Sequence, residues 1–318
     1  MESKTPEGLT PEGLAPEGPT PEGPAQRRTT PVWDPEQYVR FGDHRDRPFF
    51  DLTARIGAQQ PRLVVDLGCG PGTLTASLAL RWPGARVVGV DSSVQMIQAA
   101  QRICHAPDAP KNLSFALGDI AGWMPEPDTD VLVSNAALQW VPGHQTLLAA
   151  WLRALNPGSW LAVQVPGNFR SPSHALMRDV ATSERWQHAL AGVLRDEDTV
   201  GEPDDYLRLL LDSGCAADVW ESTFQQVLTG ERPVLDWVRG TALRPILAAL
   251  GEADAAEFEE TYAALLAGAY PTTAQGTIFP FRRIFAVAQK RAAEWEPADR
   301  RVAKTSVQQT LAQTRGQR

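Results

Sequence analysis

Val64-Val65-Asp66-Leu67-Gly68-Cys69-Gly70-Pro71-Gly72 reads as a buried strand that runs into a glycine-rich turn. The two β-branched residues favour an extended chain, and the three glycines let the backbone come close to a ligand. Thr73 to Leu80 continues as a helix, so its first free N–H groups point back at the turn. Taken alone, the stretch is either a plain strand–helix connector or the seat of a nucleotide-like molecule.

The spacing argues against a dinucleotide. A G-x-G-x-x-G fingerprint needs glycine three places after Gly70, where the chain has Thr73, and the third glycine falls one place early at Gly72. No Gly-Lys-Ser/Thr follows, which excludes a phosphate-cradling Walker loop. Asp66 lies inside the strand just before the glycines, where it would repel a pyrophosphate and attract an amine. A small, net-positive cofactor such as S-adenosylmethionine fits better than NAD.

The 318 residues are enough for one large domain or a domain with a sizeable insertion, and the 43% apolar content supplies an ordinary core. A net charge of -8 and the absence of a basic stripe argue against a nucleic-acid partner, yet leave room for a local basic pocket. Cys69, Cys104 and Cys215 are odd in number and widely spaced, which suggests a reducing cytoplasm with neither a disulfide framework nor a zinc site. No apolar run is long enough to span a bilayer, and no signal-peptide pattern opens the chain, so no membrane partner is expected. Residues 5–24 are four copies of a pentapeptide, such as Thr5-Pro6-Glu7-Gly8-Leu9. Its recurring proline and glycine forbid helix and strand, so 1–30 is expected to be a disordered tail. Residues 291–318 are expected to be a flexible polar extension, and 31–290 the folded domain.

Asp34 is a plausible cap for a helix with Pro35 in its first turn, and a second helix is expected over 47–56. From there strands at 62–66, 86–91, 113–117, 130–135 and 159–165 alternate with helices at 72–81, 93–104 and 144–154. Such alternation implies an α/β, doubly wound, mostly parallel sheet. Two late strands, at 217–224 and 282–288, make seven, and the helical stretch between them suggests an antiparallel edge pair. The insertion, about 225–278, is expected to cover the cleft at the carboxyl end of the sheet.

Three strands end in residues suited to an adenosine. Asp91, followed by Ser92, can accept both ribose hydroxyls, or it can merely cap the helix that starts near Ser93; beside the glycine turn the first reading is favoured. Asp119 with the backbone of Ile120 can read the adenine amino group and ring nitrogen. Asn135 and Ala136 end the fourth strand, where they would flank the reacting group.

With these motifs the chain resembles the class I S-adenosylmethionine-dependent methyltransferases. Ala137-Leu138-Gln139-Trp140-Val141, Asp236-Trp237-Val238-Arg239-Gly240-Thr241-Ala242-Leu243-Arg244-Pro245 and Phe279-Pro280-Phe281-Arg282-Arg283 narrow the resemblance to the trans-aconitate 2-methyltransferase family. It covers about 33–290 and leaves out the repeat tail and the polar extension. The resemblance implies methyl transfer to a carboxylate of a small tricarboxylate. A carboxylate is already ionised at neutral pH, so neither a general base nor a metal is expected.

Binding such a substrate implies arginine forks. Arg244 is the first candidate and Arg178 the second, with Arg239, Arg282 and Arg283 in the same set. Gln139 would donate to the substrate and Trp140 would wall the cleft. His144 either bonds a substrate carboxylate or sits in the first turn of the next helix, and His174 has the same two readings. Trp33 and Tyr38 would close the cofactor from the N-terminal side, unless Trp33 only staples its own helix. Cys69 reads as a small residue in a tight turn, and a monomer or weak homodimer is expected. The rival readings are a methyltransferase of another small molecule, marked by an apolar cover without convergent arginines, and a non-catalytic S-adenosylmethionine-binding module.

Overall fold

The computed structural model describes residues 42–194 and 200–292, with side chains from Asp46 onward. The repeat tail, the helix expected from Asp34, and Trp33 and Tyr38 lie outside the described residues, as does the extension beyond 292.

Helix α1 (Gly42–Thr53) leads into β1 (Leu63–Leu67), which is buried at all five positions. A run that is apolar at every position but Asp66 suits a strand covered on both faces. Helix α2 (Thr73–Arg81) crosses to β2 (Arg86–Asp91), and α3 (Val94–Cys104) to β3 (Leu113–Leu117). The chain then returns to the other side of β1 as β4 (Thr129–Asn135), followed by α4 (His144–Ala154) and β5 (Trp160–Pro166). All these strands pair in parallel. The strand order therefore reverses between β1 and β4, and a doubly wound sheet opens its ligand crevice beyond the carboxyl ends at that point. Ser134 Oγ donates to the Leu67 carbonyl at 2.9 Å and ties the two strand ends together there.

Two helices that the alternating pattern did not indicate follow β5: α5 (Pro172–Ala181) and α6 (Pro203–Asp212). Each starts at a proline, which fixes φ where no intrahelical N–H bond is lost. Glu202 and Asp205 add a reciprocal capping box to α6. Then come β6 (Cys215–Leu228), helices α7 (Pro233–Arg239), α8 (Arg244–Ala249) and α9 (Glu252–Ala269), the two-residue β7 (Thr272–Thr273) and β8 (Gly276–Lys290). β8 runs antiparallel between β5 and β6, and β7 folds back on β8 as a short eighth strand beside the seven expected.

The last two long strands extend well past their expected 217–224 and 282–288. Pairing of β5 with β8 stops at Pro166 and Arg283, so beyond it the far ends of β6 and β8 pair with each other, and β8 with β7 as well. Leu228, Phe279 and Phe281 on that overhang pack into a second hydrophobic core with Trp237, Val238, Phe258 and Tyr262. Phe258, Tyr262 and Leu266, four residues apart, form the buried face of α9. Helix α5 belongs to this cap as well. Tyr262 Oη donates to the Ser173 carbonyl at 2.7 Å, and the Ser173 N–H donates to Tyr270 Oη at 3.0 Å. The cap is thus built from two connections rather than one. Among the described residues no helix is long and apolar enough to cross a membrane.

Candidate functional site

The glycine turn sits at the predicted crevice. The N–H groups of Gly68 and Cys69 both donate to the Val90 carbonyl, at 2.7 and 3.1 Å, which fastens the turn to β2. Gly68 has φ +78°, and a Cβ there would lie 2.2 Å from the Ala137 Cβ, so only glycine fits. Gly72 caps α2 without any side-chain acceptor, so the first N–H groups of that helix remain turned toward the crevice.

Asp91 joins the turn to the end of β2. Its Oδ2 accepts from the Gly70 N–H at 3.0 Å and its Oδ1 from the Ser93 N–H at 2.8 Å. Burial raises the Asp91 pKa, against the pull of these backbone donors. Each oxygen keeps capacity for a further donor, such as a ribose hydroxyl. Ser93, not Asp91, is the α3 cap, with Oγ accepting from the Met96 N–H at 3.3 Å. Ser92 is exposed beside it. Asp119 is exposed at the end of β3 and accepts from the Ala121 N–H at 3.0 Å, with Ile120 buried next to it against Gly68.

Below the turn lies a cavity of about 620 Å³, lined by Asp66, Gly68, Gly70, Asn135 and, from α1, Asp46 and Phe49. Asp66 is 3% exposed and accepts from Thr75 Oγ1 at 2.6 Å. Desolvation pushes its pKa up to about 6, partly opposed by the Thr75 bond and aided by the Asp91 charge. A buried carboxylate of this kind favours a cation in the cavity. Burial likewise raises the Cys69 thiol, with the Asp66 and Asp91 charges adding to it, which favours the protonated thiol over the thiolate.

A second cavity, about 730 Å³, opens under the cap. The end of β4 contributes Asn135 and the turn after it Ala136, Gln139 and Trp140, while the cap contributes Trp237 and Thr241. Phe281 and Arg283 of β8 and Asn168, Phe169 and His174 near β5 complete the walls. Asn135 is common to both cavities. Its Oδ1 is buried with no hydrogen-bond partner among the described residues, an acceptor that bound ligand would satisfy. Ala136, at φ 54°, is the only non-glycine residue among those described with a left-handed backbone. Its N–H donates to the Gln164 carbonyl at 2.9 Å and its own carbonyl accepts from Gln139 Nε2 at 2.6 Å. Strain held in this way is common where a backbone lines a site.

The candidate substrate residues separate sharply. Gln139 and Trp140 line the capped cavity, although the Gln139 amide donates to the Ala136 carbonyl and so acts as a brace. His144 is elsewhere: it is 2% exposed in the first turn of α4, with Nε2 2.7 Å from Tyr206 Oη and its pKa lowered by burial. His174 lies in the cavity wall, with Nδ1 3.2 Å from Ser173 Oγ. Arg178 donates to the Phe169 carbonyl at 2.7 Å and lines a smaller side cavity that shares Phe169, His174 and Ala242 with the main one. Arg244 begins α8, half-buried, outside the lining of the main cavity. Arg239 forks onto Glu259 at 2.6 and 3.0 Å, and Arg282 pairs with Glu202 and Glu221. Among the described residues, Arg283 is the arginine that lines the main cavity, 4% exposed. Asp46, Phe49 and Asn168 were not foreseen; only the spacing of Phe49 and Leu52 hinted that a helix packs there.

Comparison with known proteins agrees with this geometry. A family described as a methyltransferase domain matches residues 64–158, from within β1 to the turn just before β5. The YcgJ protein of Bacillus subtilis has a similar fold, with a TM-score of 0.50 at 15% identity over 78% of this chain and 99% of that one. The trans-aconitate 2-methyltransferase of Streptomyces avermitilis is 53% identical over 264 residues, which is 82% of this chain and 98% of that protein. That of Rhodococcus jostii is 53% identical over 260 residues, 81% of this chain and 99% of that protein. The similarity runs through both the sheet and the cap, and the chain belongs to the trans-aconitate 2-methyltransferase family.

Proposed function

We propose that the chain transfers a methyl group from S-adenosylmethionine to a carboxylate of trans-aconitate or a closely related tricarboxylate. The products are the monomethyl ester and S-adenosylhomocysteine. The observation that carries this reading is the meeting of the two cavities at Asn135, with a buried acid on one side and a buried guanidinium on the other. Family membership supports the acceptor class.

S-adenosylmethionine supplies, when bound, a sulfonium methyl open to attack. The chain's residues hold and align. Asp66 suits the amino end of the cofactor, Asp91 and Ser92 its ribose, and Asp119 and Ile120 its adenine. A carboxylate acceptor arrives ionised, so no residue has to remove a proton. Trp140, Phe169, Trp237 and Phe281 exclude water and fix the approach, which is where most of the acceleration arises. The three free cysteines fit a reducing cytoplasm.

Steady-state methyl transfer to trans-aconitate, cis-aconitate, citrate and isocitrate tests the acceptor class. Saturable turnover of at least one tricarboxylate is expected. Turnover restricted to neutral acceptors would overturn it.

A further inference from the structure

The capped cavity contains a cation placed away from the reacting end. Asn135, Gln164 and Arg283 lie on successive strands of the same sheet. Asn135 is in register with Gln164 on β4 and β5, and Arg283 faces Pro166, two residues on. Arg283 is therefore two strand spacings across and two residues along, about 12 Å of backbone, from Asn135. Arg283 lines the acceptor cavity only, whereas Asn135 borders the cofactor cavity too.

The guanidinium is held in place rather than left to swing. Its Nη1 donates to Gln164 Oε1 at 3.1 Å, and its Cζ lies over the Phe281 ring, 4.7 Å from the ring centre. Gln164 is 0% exposed, and its Nε2 has no hydrogen-bond partner among the described residues. A guanidinium in the cavity wall, oriented by a buried amide that does not itself line the cavity, is suited to a carboxylate.

From this, and resting on the carboxylate reading above, we infer that Arg283 anchors a carboxylate that is not methylated, with Gln164 as its positioning residue. A carboxylate forked onto a guanidinium has its oxygen lone pairs engaged and its charge neutralised, which makes it a poor nucleophile. The reacting carboxylate is the one left at the Asn135 end. Arg283 thereby selects which carboxyl group is esterified, and favours acceptors with a second carboxylate over those with one.

The test uses the full chain with S-adenosylmethionine and trans-aconitate, and separates the ester isomers by liquid chromatography and NMR. No turnover of any carboxylate by the unaltered chain would contradict the underlying reading rather than the anchor. Given turnover, Arg283→Gln is expected to raise KM at least about tenfold and to yield more than one ester isomer. Because Arg283 is buried, Gln164→Glu provides a second variant, in which a new carboxylate occupies the guanidinium without removing it. It is expected to raise KM by a similar factor, to leave the melting temperature and the cofactor Kd unchanged, and to release the single-isomer preference. A KM within about twofold of the unaltered chain and one unchanged isomer in Gln164→Glu would overturn the inference.

Discussion

Thr75 Oγ1 donates a 2.6 Å hydrogen bond to Asp66 Oδ2 directly below the glycine turn. The bond stabilises a carboxylate that burial nevertheless pushes up to about 6. The folded protein therefore holds this proton to a higher pH than the unfolded chain does. Stability of the ligand-free protein falls as pH rises from 3.8 to about 6, by about 3 kcal/mol from this residue. Asp66→Asn is expected to remove that slope and to weaken binding of S-adenosylmethionine. Urea unfolding across this pH range, without and with cofactor, measures both. An Asn variant that keeps the slope would show that Asp66 is not its source.

Asp91 clamps Gly70 and Ser93 through one carboxylate. Asp91→Ala leaves two backbone donors without that acceptor and removes the proposed ribose contact. A loss of about 2 kcal/mol, a rise in cofactor Kd of about thirtyfold, is expected by isothermal titration. An unchanged Kd would assign Asp91 to the turn alone.

Gly68 and Gly70 are expected to differ. Gly68→Ala places its Cβ on Ala137 and should lower the melting temperature strongly. At Gly70 a Cβ meets nothing within 4 Å, though φ is +56°. Gly70→Ala should cost about 1–2 kcal/mol of backbone strain. It should fold, yet bind cofactor poorly, because the methyl projects into open space at the crevice. Thermal melts and titration of the two variants distinguish space kept for packing from space kept for a ligand.

His144 and Tyr206 form a buried pair outside the cavity. Tyr206→Phe should destabilise the fold by about 1–3 kcal/mol, since the imidazole loses its partner. KM for the acceptor should not move. A changed KM at unchanged stability would return His144 to the substrate.

The sheet was legible because its cause is local. Val64-Val65-Asp66-Leu67 followed by three glycines specifies a buried strand and a turn, and the same logic finds Asp91, Asp119 and Asn135 at the following strand ends. The acceptor side is written in a longer code. Arg283 and Arg282 are neighbours in sequence, yet strand alternation sends one into the cavity and the other to Glu202 and Glu221. Arg244 attracted notice through its place beside Pro245, but it is not among the residues that line the main cavity. The overhang of β6 and β8 was underestimated because Gln225 and Pro280 interrupt the apolar pattern at an exposed face. Helices α5 and α6 carried legible starts in Ser171-Pro172 and Glu202-Pro203, and a search for capping signals finds both.

Transfer of a labelled methyl group to the acceptor is the most direct test of the central claim. The full chain is mixed with methyl-¹³C S-adenosylmethionine and trans-aconitate, and the label is followed by NMR. The account predicts that the sulfonium methyl resonance is replaced by a single methyl ester resonance on the tricarboxylate. A label that stays on the cofactor, or appears only on a neutral acceptor offered in competition, would contradict it.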